Sequence, residues 1–596
     1  MTNGLSVALP ALAAVAFMYA APDFYVTLAV YVGLSTIVCL GLVMLTGICG
    51  LTSFGQAAFV GLGAYATTIA TLNFGLPPWV GLLLAILVSG LCGLLIGVLT
   101  LQLSGHFLPL GTIAWSISLY LVAGNLQSIG GHTGLTAIPP ISVGSHAIDN
   151  ARTFFPAVIA SVAGAAWLCL NVLDSRTGRA LRAINGRTVM AEAMGVDTFR
   201  YKTVVFIFAS VLAGVAGWLY AHFERFINPT PFSLHMSIEY LFMVVIGGLS
   251  SVGGALVGAT LVTLLHQWLG SLLPRLLGQS GQFETIVFCV IAVLFLRYAP
   301  LGIWPTIARR ARSLRKNDPS KLAPAKPSKL TDLPKNCEAG ATVDDGSEFL
   351  VVNALRKEFG GLIAVNDVSF SVRKREIVAL IGPNGAGKST MFNLITGVLH
   401  PTSGGIMLGG QRLDRLPSRA IALLGIGRTF QHVKLLDERP VIENVCLGAH
   451  RYGTSGFLRN ALRMDRNDEA HLHARAWEAI ELTGLGDVWN QPAGQLSLGR
   501  QRIVEIARAL ALNPQILLLD EPAAGLRYLE KQQLASLIRK LKSSGMTILL
   551  VEHDMQFLMD LADSIVVMEY GRKIAEGTAA SVRTDARVQE AYLGVG

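Results

Sequence analysis

Gly382-Pro383-Asn384-Gly385-Ala386-Gly387-Lys388-Ser389-Thr390 is the stretch on which the reading of this 596-residue chain turns. The apolar run Ile377–Ile381 precedes it and a helix-forming stretch follows, which is the setting of a phosphate-binding loop. The glycines let successive backbone N–H groups turn inward, and the helix N-terminus adds a potential that favours anions. In that arrangement Lys388 reaches the β- and γ-phosphates of ATP, and Ser389 becomes a Mg²⁺ ligand. Downstream, Ile516-Leu-Leu-Leu-Asp520-Glu521-Pro522 reads as a buried strand ending in two carboxylates. Asp520 suits the Mg²⁺ site and Glu521 suits the polarisation of an attacking water. Further β-rich runs, Thr547–Val551 and Ile565–Met568, alternate with helical stretches, so a parallel α/β domain is expected.

Outward from this loop the composition changes abruptly. Residues 1–151 hold no Lys or Arg and only two acids, Asp23 and Asp149, whereas charges are spread throughout the chain beyond Glu348. A stretch of that length without a basic residue cannot form a water-facing surface, so the first half belongs in lipid. The net charge of +9 does not point to nucleic acid, because the excess gathers in 176–202 and 309–335, beside apolar segments. Cytoplasmic loops of membrane proteins collect Lys and Arg in this way. The seven cysteines form no CxxC or Cys/His pattern, so neither disulfides nor a cysteine metal site is expected. The N-terminus lacks the basic region of a cleavable signal, and the first apolar segment is expected to be retained.

Runs long enough to span a bilayer fall near 5–21, 24–45, 54–73, 79–101, 107–128, 154–173, 204–221, 238–266 and 283–298. The basic loop 175–203 and the basic stretch after 308 should both be cytoplasmic, which requires an even number of crossings between them. Only three apolar runs are visible there. The long run 238–266 is interrupted by Gly247-Gly248-Leu249-Ser250-Ser251-Val252-Gly253-Gly254, so it reads as two crossings or as a crossing plus a re-entrant segment. Eight to ten spans result. The glycine-rich stretches 47–63 and 247–258 permit either broken helices or close helix packing. Pro319, Pro324, Pro327 and Pro334 mark a flexible linker. The expected organisation is an all-α transmembrane permease (1–308), a linker (309–347) and an α/β P-loop ATPase domain (348–596).

Residues 349–596 resemble the ATP-binding subunit of ABC transporters along their whole length. The resemblance implies roles for particular positions. Gln431, in Thr429-Phe430-Gln431, falls at the loop glutamine that senses Mg²⁺ and attacking water. Leu496-Ser497-Leu498-Gly499-Arg500-Gln501-Arg502 resembles the signature motif, in which Ser497, Gly499 and Gln501 would contact ATP held by an opposite subunit. His553, in Val551-Glu552-His553-Asp554, matches the switch histidine near the γ-phosphate, and Phe359 matches the aromatic residue that stacks on adenine. Leu498 and Arg500 replace a Gly and a Gln of the usual signature. Arg527 stands where the family has a small polar residue coupling the two nucleotide sites.

The first half resembles the permease of branched-chain (hydrophobic) amino-acid ABC importers. The resemblance rests on Gly50-Leu-Thr-Ser-Phe-Gly-Gln-Ala-Ala-Phe, Asp174–Ile184, Gly186–Gly195 and Met243-Val-Val-Ile-Gly-Gly-Leu. In the ATPase half, Asp520-Glu-Pro-Ala-Ala-Gly-Leu and Glu590-Ala-Tyr-Leu-Gly594 point the same way. It implies that Ala191-Glu192-Ala193-Met194-Gly195 is the short cytoplasmic coupling element that docks on the ATPase. It also implies a second permease and a second ATP-binding subunit, identical or homologous, and a separate extracytoplasmic solute-binding protein. The assembly would sit in the cytoplasmic membrane with the ATPase domain in the cytoplasm. Amino acids, urea, amides and aromatic acids all remain open as solutes. A half-size exporter working as a homodimer has the same domain order. Such exporters have six long helices with charged cytoplasmic extensions, and the first 151 residues offer none. An ATP-gated regulator is disfavoured by the intact Glu521 and His553.

Overall fold

A computed structural model describes residues 17–102, 107–144, 146–277, 283–298, 302–314 and 348–593. Most of the apolar run 5–21 and most of the linker 309–347 fall outside them. The chain forms two compact units. Unit one comprises Met1–Leu181, Phe199–Leu322 and Phe457–Arg463; unit two comprises Arg182–Thr198, Ala323–Gly456 and Met464–Gly596.

Unit one is built from helices α1 (Asp23–Leu42, extended by a π-helical turn to Ile48), α2 (Gln56–Phe74), α3 (Pro78–Thr100), α4 (Phe107–Asn125) and α5 (Ala151–Leu173). After α6 (Arg176–Ile184) and α7 (Thr188–Ala193) come α8 (Thr198–Glu224), α9 (Leu234–Gly247), α10 (Val252–Leu277), α11 (Phe283–Tyr298) and α12 (Ile303–Leu314). Among the described residues seven helices are long and apolar enough to cross a membrane: α1, α2, α3, α4, α5, α8 and α10. The α3 helix shows how one sequence satisfies two environments. Gly81, Ala85, Ser89, Gly93 and Gly97 recur every fourth residue and line its buried face. Leu83, Leu87, Leu91 and Leu95 recur with the same spacing and are exposed. Lipid tails are as apolar as leucine, so in a bilayer the helices are held by close packing of small residues rather than by burying large ones.

The chain breaks between α9 and α10 inside the glycine-rich stretch, where Gly248 has φ +120°. The same stretch provides close packing, because a Cβ on Gly258 would lie 1.7 Å from the Met243 carbonyl oxygen. Both uses open to these glycines from the sequence are therefore realised together.

Unit two contains a four-stranded antiparallel sheet and a six-stranded, mainly parallel one. In chain order its elements are β1 (Glu348–Phe359), β2 (Leu362–Arg373), β3 (Ile377–Ile381), α13 (Lys388–Ile395), β4 (Ser403–Leu408), β5 (Gln411–Arg412) and α14 (Ser418–Leu423). There follow β6 (Ile426–Arg428), α15 (Val441–Cys446), α17 (Arg466–Thr483), α18 (Leu498–Ala511), β7 (Ile516–Asp520), α19 (Tyr528–Ser543), β8 (Thr547–Val551), β9 (Ser564–Glu569) and β10 (Arg572–Gly577). The five-residue helix α16 (Phe457–Ala461) lies between α15 and α17 in the sequence but belongs to unit one. The small sheet has the order β2-β1-β4-β5 and the large one β6-β7-β8-β3-β9-β10, with only β9–β10 antiparallel.

Central strands buried on both faces read as continuous apolar runs. In β3, Ile377, Ala379 and Ile381 enter one core cluster while Val378 and Leu380 enter the other. Leu517 and Leu519 against Leu518 make the same division in β7, and Ile548 and Leu550 against Leu549 and Val551 make it in β8. This packing places the C-terminal ends of β3, β7 and β8 side by side, and all the catalytic candidates but Gln431 follow those ends.

Candidate nucleotide and catalytic site

The Gly382–Gly387 turn leaves the end of β3 and leads straight into α13. Gly382, Gly385 and Gly387 have φ of +153°, +87° and +96°, a region that L side chains rarely adopt. Space excludes side chains too: a Cβ on Gly382 would lie 2.1 Å from Met568 O, and one on Gly387 would lie 2.4 Å from Ala364 O. Pro383, Asn384 and Ala386 fill the rest of the turn, with Ser389 and Thr390 on the first turn of α13. Lys388 Nζ donates to Gly382 O at 2.7 Å and to Pro383 O at 2.9 Å. Burial lowers the Lys388 pKa from its ordinary value, against the opposing pull of Glu521 and Asp520. The result is a backbone cradle with one largely buried cation, which fits the polyphosphate of a nucleotide.

Asp520 closes β7 and is 4 % exposed. Its Oδ2 accepts from Arg428 Nη2 at 3.2 Å, while its Oδ1 is buried with no hydrogen-bond partner among the described residues. Burial raises its pKa, and the Arg428 guanidinium opposes that rise. Glu521, at φ +45°, leaves the strand in a left-handed conformation pinned by its N–H to Val551 O at 2.9 Å. Gln431 Nε2 donates to Glu521 Oε2 at 3.0 Å, so these two candidates are in contact. His553 follows β8, its side chain 58 % exposed and its Nδ1 3.8 Å from Glu552 Oε2. Phe359 stands at the end of β1, exposed, with Lys357 Nζ 5.0 Å from its ring centre.

Ser497, Gly499 and Gln501 form a second cluster at the start of α18. Ser497 caps that helix: its Oγ accepts from Arg500 N at 3.4 Å and donates to Glu530 Oε1 at 3.3 Å. Glu530 approaches so closely that a Cβ on Gly499 would lie 2.7 Å from its Oε1. Gln501 Nε2 donates to Leu496 O at 3.0 Å. The unusual Arg500 has a local partner, Asp487 Oδ2 at 2.6 Å, and it holds the Asp487 pKa below the usual carboxylate range. Arg527 precedes α19 and donates its backbone N–H to Glu530 Oε2 at 3.1 Å.

Five buried charged groups around the site are not evident from the sequence as its supports, although charges inside apolar stretches are a visible signal. Arg428 clamps Asp520, Asn393 Oδ1 and Thr396 Oγ1. Glu552, fully buried, accepts from Ala523 N at 2.7 Å and from His553 N at 3.1 Å, and burial raises its pKa. Arg502 Nη1 donates to Phe430 O at 2.8 Å and its Nη2 to Gln431 O at 2.6 Å. Arg508 Nη1 donates to Lys434 O at 2.7 Å, and Glu505 pairs with both arginines. The segment that carries Gln431 is thus fastened to α18.

Part of unit two comes from the first half of the sequence. Met190, Ala191, Ala193 and Met194 are buried, and α7 packs on α14. Glu192 Oε1 accepts from Thr198 Oγ1 at 2.8 Å. Gly195, at φ +79°, closes against Leu423, whose Cδ2 would lie 3.1 Å from a Cβ there. Arg187 donates to Leu435 O, and Arg419 Nη1 pairs with Asp197 Oδ2 at 2.6 Å.

Comparison with known proteins agrees with this geometry. Residues 24–301 match the family described as a branched-chain amino acid transport system permease component. Residues 365–524 match the ABC transporter family, and 572–596 a branched-chain amino acid ATP-binding cassette transporter family. The high-affinity branched-chain amino acid transport ATP-binding protein LivG of Salmonella typhimurium is 46% identical over 248 residues, 41% of this chain and 97% of LivG. BraF of Pseudomonas aeruginosa, with the same description, is 43% identical over the same shares. A probable LivG of Archaeoglobus fulgidus is 33% identical over 41% of this chain and 96% of its own. With the phosphate cradle, the paired carboxylates and the spanning helices on one polypeptide, the chain belongs to the branched-chain amino acid ABC transporter family and joins its permease and its ATPase in a single protein.

Proposed function

We propose that the chain takes up branched-chain or other hydrophobic amino acids across the cytoplasmic membrane, using ATP hydrolysed in unit two. The observation that carries this reading is a run of contacts within unit two. Arg187 holds Leu435 O, Arg508 holds Lys434 O, Arg502 holds Gln431 O, and Gln431 holds Glu521. A displacement of the segment 187–195 therefore has a direct path to the catalytic carboxylate, which supports Ala191–Gly195 as the coupling element.

In this reading Glu521 acts as general base toward water, Gln431 orients it, and His553 faces the terminal phosphate. Ser389, Gln431 and Asp520 would hold Mg²⁺, and the unpartnered buried Oδ1 of Asp520 is a fitting donor for a hard cation. Bound there, Mg²⁺ supplies charge neutralisation between the phosphates. Phe359 would stack on adenine. Ser497, Gly499 and Gln501 would meet nucleotide held by a second ATP-binding subunit. A second permease and an extracytoplasmic binding protein complete the assembly.

The test is leucine uptake into vesicles by the chain assembled with its partner permease, ATPase and binding protein. Solute-loaded binding protein should stimulate ATP hydrolysis. Glu521→Gln should keep ATP binding and slow turnover by about 10²–10⁴-fold. Vigorous export by the chain alone, independent of any binding protein, would overturn the assignment.

A further inference from the structure

Unit one includes Phe457–Arg463, a segment flanked in sequence by stretches of unit two. Asn171 Nδ2 donates to Ala461 O at 2.8 Å, and Asn460 Nδ2 donates to Thr177 Oγ1 at 2.7 Å. The Phe457 and Phe208 rings lie 5.2 Å apart. These contacts fix the depth of the segment. Asn171 is in the last turn of the spanning helix α5, just before the basic run that begins at Arg176. Phe208 lies six residues beyond Lys202, the last charge before the apolar body of α8, or about 9 Å along the helix axis. Helix α16 therefore lies level with the cytoplasmic ends of two spans, with Phe457 reaching to the depth of Phe208.

The outward face of this segment is not that of a water-exposed loop. Asn460 and Ala461 are buried against unit one, while Leu458 and Leu462, one helical turn apart, are 76 % and 50 % exposed. Arg459 and Arg463 are exposed beside them. On α5, Trp167 and Leu170 are also exposed, within about one turn of Asn171. Leucines flanked by arginines, at the level where a span meets the headgroups, have the composition of an interfacial helix. Arginine at that depth keeps its stem in apolar surroundings and its charge among anionic headgroups.

We propose that Phe457–Arg463 is a lipid anchor, with Leu458 and Leu462 in the acyl boundary of the inner leaflet and Arg459 and Arg463 on anionic lipid phosphates. Membrane attachment would then not be confined to the first half of the chain. The test uses nitroxide labels on Leu458→Cys and Leu462→Cys in the assembled transporter, with Cys92, Cys289 and Cys337 replaced by alanine and ATP hydrolysis retained. The nanodiscs contain phosphatidylcholine with or without phosphatidylglycerol. Both labels should collide with dissolved oxygen several-fold more than with a water-soluble nickel chelate, as a label at the lipid-facing Leu87 does. A label at Tyr570, 86 % exposed, gives the aqueous reference. Removing phosphatidylglycerol should lower the oxygen preference in wild type but not in R459A/R463A. Labels at 458 and 462 that match the Tyr570 reference would overturn the proposal, and so would labels shielded from both reagents, the mark of a protein partner. Indifference to anionic lipid in wild type would overturn the role of the arginines.

Discussion

Replacing Arg502 by lysine should separate the positioning of Gln431, the glutamine proposed to act in hydrolysis, from the integrity of the fold. The guanidinium holds Phe430 O and Gln431 O through two nitrogens while pairing with Glu505, whose side chain is fully buried. Lysine keeps the charge beside Glu505 but cannot present a planar fork to both carbonyls. One hydrogen bond to a charged group, about 1.5–3 kcal/mol, is then lost from the backbone that carries Gln431. If that loss is felt mainly in the transition state, turnover falls by about 10- to 100-fold. Nucleotide affinity should change little, because the phosphate cradle is built on β3 and α13. Arg502→Met is different in kind: it leaves the buried Glu505 with one ion-pair partner, Arg508, beside the Lys434 N–H, and should cost about 3 kcal/mol of stability. The assay is ATP turnover in the assembled transporter, alongside binding of a fluorescent nucleotide and a thermal melt. Wild-type turnover in Arg502→Lys, under conditions where Glu521→Gln is inactive, would refute the idea that Arg502 positions Gln431.

Gly387→Ala should abolish nucleotide binding, since its Cβ would meet Ala364 O at 2.4 Å in a left-handed turn; retained binding of a fluorescent nucleotide would argue against the cradle. A bulky residue at Gly195 should press on Leu423 and uncouple transport from hydrolysis while leaving ATP binding intact, as parallel uptake and ATPase measurements would reveal. Burial pushes the Asp468 pKa up, but donation from Ser455 N and from the Thr454 N–H and hydroxyl outweighs it and holds the group below the usual carboxylate range. With the folded value depressed, its stabilisation of that loop is present above the unfolded pKa and lost as pH falls through the folded one. The protection of the Thr454 and Ser455 amides, measured relative to the unstructured chain at the same pH, should therefore fall in acid, and Asp468→Asn should show low protection already at neutral pH.

The elements most legible in the sequence were those whose chemistry is local. The phosphate loop lies in one unbroken stretch, and β3, β7 and β8 are apolar runs buried on both faces. The interruption of 238–266 was equally visible, because glycines crowd around it. The antiparallel sheet is not legible in the sequence, and β1 shows why. Register shifts between Val352 and Leu355 and again up to Glu358, with Ala354 at φ +44°, break the alternation that would identify a strand. The catalytic candidates at 521, 553 and 431 were named from motifs, but their supports were not. Arg428 and Asp520, or Arg502 and Phe430, become neighbours only once the sheet has formed, and no spacing rule connects them.

The two faces of α3 place opposite demands on their side chains. On the buried face, at Gly81, Ala85, Ser89, Gly93 and Gly97, volume decides: a Cβ on Gly93 would already lie 2.7 Å from Ser210 Oγ. On the other face, at Leu83, Leu87, Leu91 and Leu95, volume is nearly free and only apolarity matters. Serine should be tolerated on the first face at Ala85, which already carries a Cβ, but not at Gly81 or Gly93, and large apolar residues should be tolerated on the second face and fail on the first. A scan of this one helix with serine and phenylalanine would thus trace the waterless boundary of the protein without reference to what it transports.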